Sequence, residues 1–133
     1  MKHRLILSIA LVALLTAACG DDDTGDGGDG TAIAASATNF AFDPDLWTVA
    51  AGEAVTLTLT NAADEAHEWV IMNAPIASEA EFAEDAVYWE MEAEAGDVAT
   101  DTFTAPAAGT YQIICALEGH FDSGMVGELV VTG

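Results

Sequence analysis

Apolar and polar residues alternate in short runs along most of the chain beyond residue 30. In residues 55–60, Val55, Leu57 and Leu59 alternate with three threonines, which is the two-residue period of a strand with one buried face. Other strand-like runs, separated by turn residues, cover residues 31–38, 46–50, 66–72, 87–95, 98–104, 110–115 and 127–132. The pattern predicts an all-β fold, a β-sandwich of about eight strands.

Residues 78–86 are the one segment with a helical pattern. Ser78 can act as the N-cap, and Glu81 follows three residues later, as in a capping box. We therefore expect one short helix among the strands. With 133 residues, the chain is long enough for one domain and not for two.

The N-terminal residues carry the features of an export signal. Lys2 and Arg4 precede an apolar run over residues 5–15, which is too short to span a bilayer, and small residues then lead to Cys19. This pattern resembles a bacterial lipoprotein signal, so we predict a signal at residues 1–18 and a lipid on Cys19. The protein would then be exported and anchored on the outer side of the cytoplasmic membrane or in the periplasm. Ordinary secretion with cleavage nearby is the alternative.

The segment after Cys19 has a composition that cannot form a core. Residues 20–30 contain only Asp, Gly and one Thr. Such a run buries no apolar surface and repels itself, so we predict a flexible tether over residues 19–30. The tether would connect the lipid to a folded domain at residues 31–133.

The charge of the chain excludes one class of partner and favours another. Against 23 Asp and Glu there are 2 basic residues, Lys2 and Arg4, which would leave with the signal. Without basic side chains to neutralise phosphate, nucleic acid is a poor partner. So negative a protein could steer a basic redox partner, such as a basic cytochrome. Adaptation to salt or acid is the other interpretation of the acidity.

Four residues suggest a metal site. Cys115, His120 and Met125 recur every five residues near the C-terminus, and His67 lies upstream in a strand-like run. Soft sulfur ligands with imidazole select copper over hard cations, and two His, one Cys and a weakly bound Met form the ligand set of a blue-copper electron-transfer site. Four protein ligands leave no open position for a substrate, so we expect an electron carrier and not an enzyme.

The stretch that contains these residues, at 110–127, resembles the copper loop of the cupredoxins, and its two four-residue gaps are similar to those of rusticyanins and auracyanins. Further upstream resemblances are Asn39-Phe40, Pro44, residues 49–55, Asn61 and residues 67–70. The resemblance implies a Greek-key sandwich that shuttles one electron on one copper ion. The ligands that it implies are His67, Cys115, His120 and Met125.

The same resemblance implies that electrons pass through the exposed edge of His120. The apolar rim around this edge would consist of Leu117, Phe121, Ala74 and Pro75. One position departs from the family pattern: Glu68 stands where many cupredoxins place Asn or Ser to hydrogen-bond to the cysteine loop.

Two other functions compete with electron transfer. A periplasmic copper chaperone or store would use exposed, exchangeable ligands, often in Met-rich clusters, and this chain has few clustered Met and His. A metal-free adhesion module on the same sandwich would leave Cys115 as a small buried residue. We expect a monomer whose acidic residues between 79 and 97 form a solvated face.

Overall fold

The computed structural model describes residues 30–133, so the predicted signal, Cys19 and nearly all of the predicted tether lie outside the described residues. Nine strands are present in this part of the chain. They are β1 Thr31–Thr38, β2 Ala41–Asp43, β3 Leu46–Ala50, β4 Ala54–Asn61, β5 His67–Met72, β6 Val87–Ala93, β7 Val98–Thr104, β8 Gly109–Ile114 and β9 Val126–Thr132. Within residues 30–133, no helix has the length and apolar character needed to cross a bilayer.

The strands form two sheets that pack face to face. One sheet has the order β2-β1-β4-β7, and the other has the order β3-β9-β8-β5-β6. The pairs β1/β4 and β3/β9 are parallel, whereas the remaining neighbours are antiparallel. The all-β sandwich is confirmed. The short strand β2 lies where the sequence predicts only a turn, because Ala41 pairs with Thr38 across a two-residue connection.

The core lies between the sheets and contains the predicted apolar face of β4. Val55, Leu57 and Leu59 are all fully buried, as the alternation predicts. Trp69 from β5 packs edge-on against Trp47 from β3, with ring centroids 5.2 Å apart. Burial of apolar side chains is the dominant favourable term in folding, and the described residues contain no Lys or Arg that could add ion pairs to it.

The segment between β5 and β6 corrects one prediction. Residues 78–86 form two 3₁₀ turns, Glu79–Glu81 and Glu84–Ala86, and not one helix. The side chain of Ser78 makes no capping hydrogen bond, and Glu81 accepts from the N–H of Ala77 at 2.9 Å. The physical reason is tertiary packing: Phe82 adopts an extended backbone and packs against the outer face of the five-stranded sheet.

We call residues 73–86 the strap, since they cross that outer face. Val70, Met72 and Ile114 form a second buried cluster there, beneath the strap. Gln112 of β8 fixes the strap to the sheet, because its side-chain amide donates to the carbonyl of Ile76 at 3.1 Å and accepts from the N–H of Ile76 at 2.8 Å.

Candidate metal centre

Three buried side chains converge at one end of the five-stranded sheet. His67 is the first residue of β5, and Cys115 directly follows β8. His120 lies in the connection to β9, residues 115–125, which we call the ligand loop. Because β5 and β8 are antiparallel neighbours, the start of one lies beside the end of the other. The topology therefore brings together side chains that are far apart in the sequence.

The three donor atoms are close enough to share one ion. His67 Nδ1 and His120 Nδ1 are 3.1 Å apart, and Cys115 Sγ lies 3.2 Å from His120 Nδ1 and 4.0 Å from His67 Nδ1. Ligands bonded to one metal at 2.0–2.3 Å are separated from each other by about 3.3–3.8 Å at trigonal or tetrahedral angles. The residues present therefore fit a small metal ion. Among residues 30–133, no other cluster of His, Cys, Asp and Glu has this arrangement.

Met125 belongs to the same end of the sandwich. Its side chain is fully buried in the core cluster that also contains Cys115. The N–H of Cys115 donates to the carbonyl of Met125 at 3.2 Å, and the N–H of Met125 donates to the carbonyl of His120 at 3.1 Å. The ligand loop is thus closed by its own backbone around the predicted ligands.

Two glycines permit the path of this loop. Gly119 and Gly124 have φ values of 82° and 95°, in the left-handed region that side chains disfavour. Each directly precedes a predicted ligand, as the sequence indicates. Any other residue at these positions would strain the segments that present His120 and Met125.

Burial determines the protonation of the donors in the metal-free protein. The pKa of His67 is lowered, first by burial and then by the nearby His120, although Glu65 opposes this change. Burial also raises the pKa of the Cys115 thiol, while backbone N–H groups of Glu68 and Leu117 act in the other direction. The imidazole of His67 is therefore held neutral and ready to bind a metal, whereas the Cys115 thiol must release its proton when a metal binds.

Glu68, the departure from the family pattern, contacts Cys115 through its backbone. Its N–H donates to Cys115 Sγ at 3.3 Å, which is a bond that most residue types can make. Its side chain lies on the outer face, opposite Glu92 of β6. The pKa of Glu68 is raised by burial and then by the carboxylates of Glu90 and Glu92.

The structure adds residues around His120 that sequence reasoning does not assign. The ring of Phe40 packs edge-on against His120, with centroids 5.3 Å apart, and His120 Nε2 lies 3.5 Å from a carboxylate oxygen of Glu65. Of the predicted rim, Phe121 packs against the outer cluster beneath the strap, and Leu117 packs against the main core. Phe40 stands out in the sequence because it is an apolar residue in a tight turn. The neighbouring sequence, however, does not indicate that it contacts His120.

The fold and the donor set are those of a small copper protein with a type 1 site. The family model for copper-binding proteins of the plastocyanin/azurin family matches residues 30–132. The chain therefore belongs to this family, the cupredoxins, whose cofactor is copper.

The most similar proteins include auracyanins. The chain is 28% identical to auracyanin-A of Chloroflexus aurantiacus over 98% of this chain and 97% of that protein. The crystal structure of dithionite-reduced auracyanin from Roseiflexus castenholzii matches with a TM-score of 0.69 and 26% identity, over 78% of this chain and 98% of that one. A multicopper oxidase, mgLAC, matches with a TM-score of 0.57 at 20% identity over 77% of this chain and 38% of that one, and this likeness shows the fold alone.

Proposed function

We propose that the protein is an extracytoplasmic one-electron carrier whose single copper ion is held by His67, Cys115, His120 and Met125. The observation that carries the proposal is the convergence of two imidazole nitrogens and one thiol sulfur, 3.1–4.0 Å apart, in a buried site. Bound copper would supply the one-electron couple between Cu(I) and Cu(II).

The protein's contribution would be to hold the donors in place. His67 is fixed by the sheet, and Cys115 Sγ already accepts a hydrogen bond from the N–H of Glu68. Because the donors are preassembled, little rearrangement is needed when an electron arrives or leaves. Burial of the donors excludes water, and four side chains leave no coordination position for a substrate. This arrangement favours electron transfer over catalysis.

His120 would be the route for the electron. It is 6% exposed, whereas His67, Cys115 and Met125 are fully buried. The carboxylate of Glu65 lies beside its outer edge, so a partner that docks there would meet negative charge. We therefore propose a redox protein with a basic surface, such as a basic cytochrome, as the partner of a monomeric carrier. Nucleic acid is not a proposed partner.

The N-terminal lipid anchor is part of the proposal and can be tested separately. Cys19→Ser removes the predicted lipidation site and should move the protein from the membrane fraction to the soluble fraction when it is expressed in bacteria. Equal membrane association of the wild type and Cys19→Ser would contradict the lipid anchor. It would not bear on the proposed metal site.

Copper loading tests the electron carrier. Full-length protein loaded with Cu(II) should become intensely blue and should lose and regain this colour on reduction and reoxidation. Cys115→Ser should abolish the colour, whereas Cys19→Ser, the matched control at the other cysteine, should keep it. Met125→Leu should change the visible spectrum more than Met72→Leu, since Met72 is equally buried but lies in the outer cluster. Colourless, readily chelated Cu(I) would support a store or chaperone, and no copper uptake would contradict both functions.

A further inference from the structure

The strap contacts the ligand loop directly beside His120. Both carboxylate oxygens of Glu79 accept from the N–H of Gly119, at 2.9 Å and 2.8 Å. In return, the N–H of Glu79 donates to the carboxylate of Asp122 at 3.2 Å. These contacts reach the loop on both sides of His120, at the residue before it and two residues after it. Glu79 of the strap therefore contacts the ligand loop on both sides of His120.

The peptide groups on either side of Gly119 are held by two different parts of the molecule. Its carbonyl accepts from the N–H of Ser123 at 3.2 Å and from the Ser123 hydroxyl at 2.6 Å, both within the loop. Its N–H is held from outside the loop by Glu79 alone among the described contacts. Gly119 adopts a φ of 82°, and glycine has more backbone conformational freedom than any other residue. The backbone at Gly119 therefore needs restraint more than its neighbours do. Removal of the carboxylate would free the loop at its weakest point.

The strap is a firm support for such a contact. Phe82 packs into the outer cluster, and Gln112 binds both backbone groups of Ile76. Glu79 lies between these two attachments in the sequence. A restraint that it applies to Gly119 is therefore transmitted to β5 and β8 and not to a free loop.

The chemistry of the chain explains why a carboxylate makes this contact. The described residues contain no Lys or Arg, so carboxylates cannot form ion pairs with them there. Backbone N–H groups are the most numerous donors that remain, and hydrogen bonds from them to a charged acceptor are stronger than neutral ones. Glu81, on the same 3₁₀ turn, shows the ordinary local form of this pairing, since it accepts from Ala77 within the strap.

We propose that Glu79 is a positioning residue: it clamps the ligand loop to the strap and so fixes His120 for metal binding. This inference rests on the proposed function in that His120 is taken as a copper ligand. The clamp itself exists without the metal, because all of its contacts lie between protein groups.

The test compares Glu79→Ala, Glu79→Gln and Glu81→Ala in the full-length protein. Glu81→Ala is the matched control, since it removes the same charge from the same turn without touching the loop. In metal-free protein, Glu79→Ala should speed amide hydrogen exchange at His120 and Gly124, whose own bonds lie within the loop, by about tenfold. Exchange in β5, at Trp69 and beyond, should stay unchanged.

Copper release to a chelator gives the second readout. Glu79→Ala should release copper about tenfold faster than the wild type, at the lower end of what loss of an outer hydrogen-bond partner costs in metal affinity. Glu79→Gln keeps a carbonyl acceptor and should restore part of the difference, whereas Glu81→Ala should match the wild type.

Each outcome has a separate meaning. Equal exchange and release in Glu79→Ala and Glu81→Ala would overturn the clamp while the wild type remained blue. Wild-type protein without copper uptake would overturn the proposed function, and hydrogen exchange in the metal-free variants would still decide whether Glu79 restrains the loop. Glu79→Gln behaving like Glu79→Ala would assign the effect to charge and contradict positioning by the acceptor.

Discussion

His67 and His120 reach the same donor cluster from two regions that are built differently. β5, which begins with His67, has four consecutive buried residues at 69–72, because the core covers one face and the strap covers the other. The ligand loop has exposed residues at 118–119 and 122–124 and is held by hydrogen bonds among backbone groups, Ser123 and Glu79. His67 is positioned by a strand that is packed on both faces. His120 is positioned by a loop that combines the packing of Leu117 and Phe121 with polar contacts near water.

The difference separates two kinds of substitution. Changes on the strand side should lower the free energy of unfolding, because burial of apolar surface dominates there. Changes on the loop side should leave that free energy nearly intact and alter local opening and copper release, since exposed hydrogen bonds open locally at low cost. The candidate metal centre takes one histidine from the strand side and one from the loop side. Variants on each side can therefore test whether the two kinds of effect are separate.

The largest expected effect is that of Trp69→Ala on the strand side. The Trp69 ring is fully buried and packs against Trp47 and Phe103, with centroids 5.2 Å and 5.9 Å away. Its loss should lower the free energy of unfolding by about 3–5 kcal/mol, measured by urea denaturation of the metal-free protein. Leu46→Ala is the control, because Leu46 is 54% exposed and should cost no more than about 0.5 kcal/mol. Equal losses of unfolding free energy in Trp69→Ala and Leu46→Ala would show that packing does not dominate the strand side.

A smaller but still large effect is expected from Asn61→Asp, where β4 leads towards His67. The buried amide Nδ2 of Asn61 donates to the carbonyls of Glu65, Ala93 and Glu94 at 2.8 Å, 2.9 Å and 3.1 Å. Aspartate has the same shape but no donor, and it would place a charge beside these oxygens. The free energy of unfolding should fall by about 2–3 kcal/mol.

The control for this variant is Asn73→Asp, at an exposed position of the strap. It makes the same chemical change without breaking a buried network, so urea denaturation should show a change within about 0.5 kcal/mol. A cost at Asn61 as small as that at Asn73 would show that the network does not support the strand that carries His67.

Much of the fold follows from local patterns in the sequence. The alternation in residues 55–60 places Val55, Leu57 and Leu59 in the core, because every second side chain of a strand points to the same face. The loop spacing likewise brings Cys115 and His120 together, since residues that join two adjacent strands cannot separate far. The short spacing therefore predicts that Cys115 and His120 lie together, whereas His67, 48 residues before Cys115, is assigned through the family resemblance.

The contacts that the sequence does not reveal join distant segments. Phe40 packs on a histidine 80 residues away, and Glu79 binds Gly119 across 40 residues. No periodicity encodes such pairs, because they depend on how the strap and the β1–β2 connection lie over the sheets. The predicted helix failed for the same reason: the local signal of Ser78 and Glu81 is weaker than the packing of Phe82 on the outer face.

Phe40 contacts the loop side from the β1–β2 connection. Variants at this position separate the effect of its ring from the effect of its backbone conformation. Phe40 packs on His120 but adopts a φ of 66°, which is unfavourable for a residue with a Cβ. Phe40→Ala and Phe40→Gly both remove the ring, and only glycine removes the strain. The glycine variant should therefore be more stable than the alanine variant by about 1 kcal/mol, measured by urea denaturation of metal-free protein.

Copper release should increase equally in these two variants, because both lose the ring contact with His120 and differ only at the backbone. A glycine variant that is no more stable than the alanine variant would show that the left-handed backbone carries no strain. Unequal copper release would show that the backbone conformation at residue 40 also acts on His120.

The smallest effect is expected from Glu92→Lys, on the outer face behind His67. Glu92 lies directly opposite Glu68 in the β5/β6 pair, so two like charges face each other across neighbouring strands. Reversing one charge should raise the free energy of unfolding by about 0.2–1 kcal/mol at low salt. The gain should shrink in about 1 M NaCl, where charges a few ångströms apart are screened.

The control for this effect is Glu128→Lys, since Glu128 pairs with Gln112 and Leu46 and faces no carboxylate across either strand. Both variants change the net charge equally, so their difference isolates the local Glu68–Glu92 repulsion from the repulsion of the whole acidic surface. A larger gain at Glu92 would show that the strand carrying His67 bears an electrostatic cost that its packing outweighs. Equal gains would assign the cost to net charge, and the strand side would then differ from the loop side in burial alone.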